Sequence, residues 1–400
     1  MKVLTINCGS SSIKYKLFQM PEEKLLARGM LEKIGEEVSI FHHEAGNHAT
    51  EEKLKVRNHE EGLELIAHAL VSGKNSPIKK VEEIGGVGHR VVHGGEGFDR
   101  SVIIDDEIIR RIETYQSLAP LHNPPNLAGI KAARRFFRHS LQVAAFDTAF
   151  HRTIPEIAYL YAIPYRFYTQ FGIRRYGFHG TSHRFVARKA AEILGKDKYS
   201  LNAITCHLGN GCSITAVAAG RSVDTSMGFT PLEGLIMGTR SGDIDAGVIF
   251  FLAEHLGLDI ASLNRLLNRE SGLLGISGIS NDFRSLLKAS AEGNQQATLA
   301  IEMFCYRVRK YIGCYLAVLG KTEAIVFTGG IGENVPLVRE KSLSHLENLG
   351  IILDKEKNWQ EKGERIISRK DSPITVLVIP TDEELRIAFD TWQLAQKLKS

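Results

Sequence analysis

The chain has 400 residues, 43% of them hydrophobic and 24% charged, with a formal net charge of +4. That length allows about two or three domains and a core large enough to need no disulfide or metal staple. The composition is that of an ordinary globular protein, no stretch reaches the roughly 18 apolar residues of a membrane span, and the charge is too mild to argue for a nucleic-acid partner.

Residues 2–56 read as a run of strands with hairpin signals at Gly9 and Gly35. Within that run, TINCGSSSIKYKLF (5–18) is a strand, six small residues and a second strand. An ordinary hairpin needs only two to five loop residues, so the open backbone at this turn asks for an explanation. EIGGVGHRVVHGG (83–95) is an apolar strand ending in a glycine-rich loop. DDEIIRRIETY is helical, and LHNPPNLAGIKAARRFF places two prolines where a helix begins. KAARRFFRH (131–139) is locally basic, but its apolar positions fit one face of a solvated amphipathic helix. LQVAAFDTAFH is a buried strand that delivers Asp147 and Thr148 at its C-terminal end.

Residues 154–178 are irregular and aromatic-rich. GTSHRFVARKAAEIL is a helix, with Thr181 or Ser182 as its expected N-cap. Strands return in LNAITCHLGNGCSITAVAAG. Helices then alternate with short strands, among them EAIVFTGG and ITVLVIP, and a long helix covers 295–319. The chain ends in the helix TDEELRIAFDTWQLAQKL, where Thr381 and Glu384 have the spacing of a capping box. The short apolar stretch after Lys2 is not expected to act as a signal peptide. Cys8, Cys206, Cys212, Cys305 and Cys314 form no CxxC pair or zinc-ligand grouping. A cytoplasmic protein is expected.

TINCGSSSIKYKLF and ITCHLGNGCSITAV share one plan, an apolar strand, a loop of Gly, Ser or Asn, and a strand, some 200 residues apart. Two similar halves are therefore expected, each opening with a hairpin. A third glycine turn, VFTGGIGENVPLVRE, follows a strand and opens a helix. Small residues let backbone N–H groups approach an anion, and Ser10, Ser11, Ser12 and Lys14 add donors and charge. One such loop reads equally as a plain small-residue turn or a phosphate site, whereas two paired loops with the strand–glycine–helix turn favour a nucleotide. There is no G-x-x-x-x-G-K-[ST], so the chain is not a P-loop protein. Arg90 in GHRVVHGGEGF, His179 in RRYGFHGTSHR, and Arg240 and Asp243 in TSMGFTPLEGLIMGTRSGDIDAG lie beside further open backbone. Singly, Arg90 reads equally as a surface ion pair and His179 as a satisfied core histidine. Beside phosphate loops they describe phosphoryl transfer, which needs cations and donors around the transferring group.

The string NCGSSSIK, GHRVVHGG, AFDTAFH, RRYGFHGTSH, HLGNGCS, TPLEGLIMGTRSGDID, GGIGEN and TDEEL resembles the acetate kinase family along essentially the whole chain. That family belongs with sugar kinases, Hsp70 and actin. The resemblance implies an α/β fold of two related, ribonuclease H-like domains with an ATP cleft between them. Their expected extents are 1–150 plus 384–400, and 151–383. It also implies ATP and acetate exchanging with ADP and acetyl phosphate, magnesium with manganese as a substitute, and a homodimer without nucleic-acid or membrane partners. Carried over motif by motif, Asn7 and Glu383 lie by the metal. Ser10, Ser12 and Lys14 lie near the phosphates. Arg90 and Arg240 hold acetate and phosphoryl, His179 donates to the same charge, and Asp147 is the family's catalytic acid residue. His207, Leu208, Gly209, Asn210 and Gly211 cradle phosphate. Asp282, Phe283, Arg284, Gly330, Ile331, Gly332, Glu333 and Asn334 contact the nucleotide. Val92, Leu121, Phe178 and Pro231 wall the acetate methyl. The family usually has Asn where this chain has Asp382, and Arg where it has Phe389, so Asp382 is expected to alter metal affinity and Phe389 to concern packing. Other expected readings are a propionate or butyrate kinase, and an actin- or Hsp70-like ATPase with no acceptor pocket.

Overall fold

The computed structural model describes residues 1–72, 75–120, 122–360 and 362–398. The chain divides into two compact units, Met1–Arg152 with Asp382–Ser400, and Thr153–Thr381. Asp382 and Glu383, grouped with the second half on sequence grounds, lie in the first unit, because Glu383 opens the helix Glu383–Lys397 that returns to it.

The first unit holds one sheet of eight strands: β1 (Lys2–Cys8), β2 (Ser12–Gln19), β3 (Lys24–Glu32), β4 (Ser39–Ala45), β5 (His48–Leu54), β6 (Ile84–Val91), β7 (Val102–Ile103) and β8 (Leu141–Phe146). Their order is β5-β4-β3-β2-β1-β6-β8-β7. The second unit holds β9 (Ala203–Leu208), β10 (Cys212–Ala218), β11 (Arg221–Thr225), β12 (Ala324–Thr328), β13 (Arg365–Ile366) and β14 (Thr375–Val378), ordered β11-β10-β9-β12-β14-β13. In the first sheet β1, β6 and β8 are mutually parallel, β2 and β3 fold back antiparallel, and β7 pairs antiparallel with β8. The second sheet repeats this polarity with β9, β12 and β14 parallel and β10, β11 and β13 antiparallel. Without β4 and β5, both sheets run third, second, first, fourth, sixth, fifth. The hairpin echo in the sequence is the opening of each copy.

Alternation along β1 decides what each face does. Leu4, Ile6 and Cys8 enter the main core with Ile13, Tyr15 and helix residues Leu63 and Ile66. Val3 faces the other way and packs with Phe18 and Ala388 of the last helix. Thr5 and Asn7 share that second face. Asn7 sits opposite Lys14, and Arg90 lies one register step beyond the β1–β6 pairing of Ile6 with His89. The last helix comes very close to β6. A Cβ on Gly88 would fall 2.5 Å from Ile387 Cγ2, and one on Gly86 would fall 2.7 Å from Thr391 Cγ2. These glycines let the helix lie on the strand and bring its first turn to the strand's C-terminal end.

In the second unit, Ala203 on β9 and Ala324 and Val326 on β12 pack under Val186 and Ala190 of the helix Gly180–Ile193. Thr205 and His207 follow Ala203 on the same face by the two-residue period, and Ser213 pairs with His207. The hydrophobic sheet therefore ends in a polar strip beneath the first turn of that helix.

Candidate active site

Two clusters gather the residues singled out in the sequence, one in each unit. In the first, Arg90, the penultimate residue of β6, meets Asp147, one residue past β8. Arg90 Nε donates to Asp147 Oδ1 at 3.1 Å and Nη2 to Oδ2 at 2.5 Å. Arg90 Nη1 reaches Asn7 Oδ1 at 3.5 Å. The Asp147 side chain is 1% exposed and that of Arg90 22%, so the pair is built in, and the surface-pair reading of Arg90 falls. Burial alone would lower the Arg90 pKa, but the charges of Asp147 and Glu383 outweigh it and hold the guanidinium further above its ordinary value.

Thr5, Asn7, Arg90, Glu383 and Glu384 line a small pocket here. Glu383 is pushed up to about 7 by its burial, against the pull of Arg90 and with the push of Asp147 and Glu384. Its Oε1 is buried with no hydrogen-bond partner. Among the described residues no three His, Cys, Asp or Glu side chains form a metal cage. The Glu383 carboxylate with the Asn7 amide oxygen still fits a hard divalent cation of the magnesium type, which takes one or two carboxylates and keeps water and phosphate oxygens as its other ligands. The orphaned Glu383 oxygen is the atom that such a cation would satisfy.

The start of the last helix corrects the expected capping box. Asp382 is the N-cap, its Oδ1 accepting from Leu385 N at 2.9 Å and from Lys16 Nζ at 2.9 Å. Glu384 pairs with Lys16 at 3.3 Å. Thr381 instead belongs to the second unit, with its hydroxyl 2.8 Å from Ser182 Oγ and its N–H donating to Glu333 Oε1 at 3.2 Å. The carboxylate of Asp382 is thus engaged by the cap and by Lys16, not added to the Glu383 pocket. Phe389 packs on Trp392 with ring centroids 5.6 Å apart and lies under the Arg386 guanidinium at 4.8 Å.

Ser10 lies in the exposed turn between β1 and β2, Ser12 starts β2, and Lys14 is exposed across from Asn7. Val92, just past β6, is buried, and its N–H donates to Asn126 Oδ1 at 3.1 Å. Asn126 Nδ2 donates to Cys8 O at 2.7 Å, and Asn123 brackets His93 through its N–H at 3.1 Å and its carbonyl at 2.9 Å. Asn126 thus ties the segment after β6 to the end of β1, and Asn123 fixes the next residue of that segment. Sequence reasoning missed them, although the Asn–Pro–Pro–Asn spacing was in view. Leu121 lies outside the described residues.

In the second cluster His179 is the N-cap of the helix Gly180–Ile193, with a left-handed φ of 58°, in place of the expected Thr181 or Ser182. That backbone turns its ring onto His207, with centroids 4.4 Å apart. The β9–β10 turn, with Gly209 N–H donating to Gly211 O at 3.1 Å, lies beside it. A Cβ on Gly211 would fall 3.4 Å from His179 Nε2 and 3.7 Å from Arg240 Nη1, so both donors converge on bare backbone. Arg240 Nη1 contacts the Pro231 carbonyl at 3.3 Å and Met237 Sδ at 3.7 Å. It has no carboxylate partner among the described residues, and burial lowers its pKa. A guanidinium left without its own anion is suited to accept one.

Asn210 extends this cluster. Its carbonyl accepts from Gly238 N at 3.0 Å, and its Oδ1 from Asn281 Nδ2 at 3.1 Å. Asp282 caps the next helix by accepting from Arg284 N at 3.0 Å and pairs with the Arg284 guanidinium. The Phe283 ring is buried against Phe304 at 5.4 Å, which leaves its backbone, not its ring, for a nucleotide. Gly330 to Asn334 lie in the short helix Gly329–Asn334 after β12, where Gly330 and Asn334 are exposed and Ile331 and Gly332 are buried. Glu333 turns inward to accept from Gly329 N at 2.8 Å, a structural role that its place in the motif did not suggest. Leu208 and Phe178 are buried, and Pro231 is half-buried.

Comparison with known proteins decides among phosphate-handling families. A model of the acetokinase family matches residues 2–389. The chain belongs to the acetokinase family. It is 53% identical to the acetate kinase of Caldanaerobacter subterraneus subsp. tengcongensis across the full length of both chains. It is 50% identical to that of Clostridium novyi, with 99% of each covered. The crystal structure of Porphyromonas gingivalis acetate kinase superposes with a TM-score of 0.95 at 47% identity, covering 98% of this chain and 99% of that one. A propionate kinase from Francisella tularensis gives 0.92 at 43% identity, with the same coverage.

Proposed function

We infer that this chain catalyses reversible transfer of the γ-phosphoryl group of ATP to acetate, giving ADP and acetyl phosphate. The observation that carries the inference is the convergence of an uncompensated Arg240 and of His179 Nε2 on the Gly209–Gly211 turn, in a member of this family. Acetate is already ionised at neutral pH, since carboxylic acids titrate near pH 4. No base is required. Asp147 is engaged at both oxygens by Arg90, so its role in this proposal is to orient that guanidinium. One carboxylate oxygen attacks the γ-phosphorus in line. The bond to the β–γ bridging oxygen breaks, and its electron pair leaves with ADP. The barrier is repulsion between two anions, which Arg90, Arg240 and His179 reduce by alignment and fixed positive potential. Magnesium, or manganese in its place, would be held by Asn7 and Glu383 and would neutralise phosphate charge. The remaining nucleotide contacts proposed are Ser10, Ser12, Lys14, the backbone of 207–211, and the segments 282–284 and 330–334.

Acetate-dependent ADP formation tests this function. ATP hydrolysis indifferent to acetate would return the chain to the actin- or Hsp70-like reading. The propionate reading is separated by Val92, which we assign with Phe178 and Pro231 to the acceptor's methyl. One methylene is worth about 1 to 3 kcal/mol in an apolar pocket, so propionate is expected as the poorer substrate. Val92→Ala is expected to raise the propionate-to-acetate ratio of kcat/KM by roughly tenfold. A wild-type preference for propionate, or an unmoved ratio, overturns the pocket assignment.

We also propose a homodimer. The helix Ala246–Leu256 has no buried residue. Val248, Phe250, Phe251 and Leu256 are exposed on it, as are Leu299, Met303 and Tyr306 on the helix Gln295–Leu319. Apolar exposure on this scale marks an interaction surface. Light scattering is expected to give twice the 44.4 kDa chain mass, and a monomer at micromolar concentration removes the proposal. No helix among the described residues is long and apolar enough to cross a membrane. A cytoplasmic location is the matching proposal, which cell fractionation tests.

A further inference from the structure

A chain of buried polar side chains runs behind His179. Its Nδ1 lies 2.9 Å from Ser213 Oγ. The same hydroxyl lies 2.7 Å from His183 Nε2. His183 Nδ1 in turn lies 2.7 Å from Thr205 Oγ1. Ser213, His183 and Thr205 are completely buried. The sequence places them together for simple reasons. Thr205 is two residues before His207 on β9, Ser213 pairs with His207 across the hairpin, and His183 is one helical turn after His179.

With neutral imidazoles, each donating from one nitrogen and accepting at the other, the hydrogens can run along the chain in two directions. A third arrangement, in which both rings donate to Ser213, strands that buried hydroxyl's own hydrogen. In one direction Thr205 donates to His183 Nδ1, His183 Nε2–H donates to Ser213, and Ser213 donates to His179 Nδ1. His179 then carries its hydrogen on Nε2, the ring nitrogen nearest the space over Gly211 that Arg240 Nη1 also approaches. In the other direction His179 Nδ1–H donates to Ser213, and every later bond reverses. That direction leaves the buried Thr205 hydroxyl hydrogen without an acceptor among the described residues, since His183 is its sole side-chain contact there. Buried polar groups avoid that state. It also turns the lone pair of His179 Nε2 toward the space over Gly211, where the proposed phosphoryl group would sit.

We propose that Thr205, His183 and Ser213 are positioning residues that lock His179 as the neutral Nε2–H tautomer, a hydrogen-bond donor to the transferring phosphoryl group. With its Nδ1 occupied as an acceptor, His179 is not a proton donor. It stabilises charge without giving up a hydrogen, which suits an acceptor that arrives as a carboxylate. The inference deepens the phosphoryl-transfer reading and rests on it for the role of His179. The tautomer itself is read without any substrate.

The test uses the full chain labelled with 15N-histidine, with the His179 resonances assigned by difference from His179→Gln. In the wild type, long-range proton–nitrogen spectra are expected to show a protonated Nε2 and an unprotonated Nδ1. Thr205→Val keeps the shape and removes the hydroxyl, so it is expected to bring Nδ1–H signal into the His179 spectrum. It is also expected to lower kcat about tenfold, less than the 10²- to 10³-fold brought by losing a whole donor, with the KM for ATP little changed. Thr205→Ser is expected to restore both the spectrum and kcat, which a purely structural role for Thr205 would not require. Ser213→Ala, tested separately, is expected to act in the same direction. A wild-type His179 protonated on Nδ1 overturns the proposal, as does a Thr205→Val protein whose His179 tautomer is unchanged. A correct tautomer in a protein without acetate-dependent activity instead overturns the functional reading and leaves the relay standing.

Discussion

Arg240→Ala is expected to lower kcat by about 10³- to 10⁵-fold, the worth of a positioned arginine in phosphoryl transfer, while the KM for ATP changes little. That loss corresponds to roughly 4 to 7 kcal/mol of barrier. The structure makes this a clean substitution. Arg240 holds a carbonyl and a thioether but no carboxylate among the described residues, so its removal strands no buried anion. Arg90→Ala differs, because it leaves the buried Asp147 carboxylate without its bidentate partner, a change that costs about 3 to 5 kcal/mol of stability. Activity lost in Arg90→Ala therefore mixes folding with chemistry, and activity lost in Arg240→Ala does not. Arg240→Lys is a useful second point. A lysine keeps the charge and loses the planar fork, so partial recovery measures the charge and the shortfall measures the geometry. A purified, folded Arg240→Ala protein with near-normal kcat would remove this residue from the reaction.

The sheets were legible because they rest on two-residue alternation and on glycine-bounded turns, and both are local. TINCGSSSIKYKLF and ITCHLGNGCSITAV carry their duplication openly, and each became the first hairpin of its sheet. Helix starts were less legible. Thr381 with Glu384 satisfied a capping-box pattern, yet Asp382 took the cap, because Lys16 on β2 drew Asp382 and Glu384 into ion pairs. His179 took the cap expected of Thr181 or Ser182 by adopting a left-handed backbone, a strained choice for a non-glycine residue. Sequence pattern favours the cheap conformation there, and the strain coincides with the ring's approach to Gly211.

Long-range polar contacts were the least legible. Asn126 reaches Cys8 across 118 positions, and Ser182 reaches Thr381 across 199. No local periodicity announces such pairs. The same holds for Arg175, which donates to Glu233 at 2.6 Å and to the Thr225 carbonyl at 2.9 Å and so braces the loop that carries Arg240. The family motif RRYGFHGTSH contains that arginine, but nothing within the motif separates it from the neighbouring Arg174, which lies over the Tyr159 ring at 3.4 Å.

Three consecutive acids at the start of the last helix offer the second large effect. Glu383→Gln is expected to lower kcat by roughly 10²-fold or more, the scale of one charge-stabilising group, and to raise the magnesium concentration for half-maximal activity at least about tenfold. Glutamine keeps the shape, so the loss reports the charge. The neighbouring acids are expected to behave otherwise. Asp382→Ala removes the N-cap, which costs about 1 kcal/mol of stability, with activity largely retained. Glu384→Ala breaks a half-exposed pair with Lys16, worth less than about 1 kcal/mol, and leaves kcat near the wild-type value. The distinction follows from what each carboxylate touches. Asp382 is engaged by Leu385 N and Lys16, Glu384 by Lys16, and Glu383 keeps a buried oxygen with no partner. Burying a carboxylate oxygen without a partner is costly, and a cation that contacts it relieves that cost. Thermal melts and magnesium titrations of the three variants separate the roles. A magnesium requirement that moves with Glu384, or that stays fixed in Glu383→Gln, shows that the metal is held elsewhere.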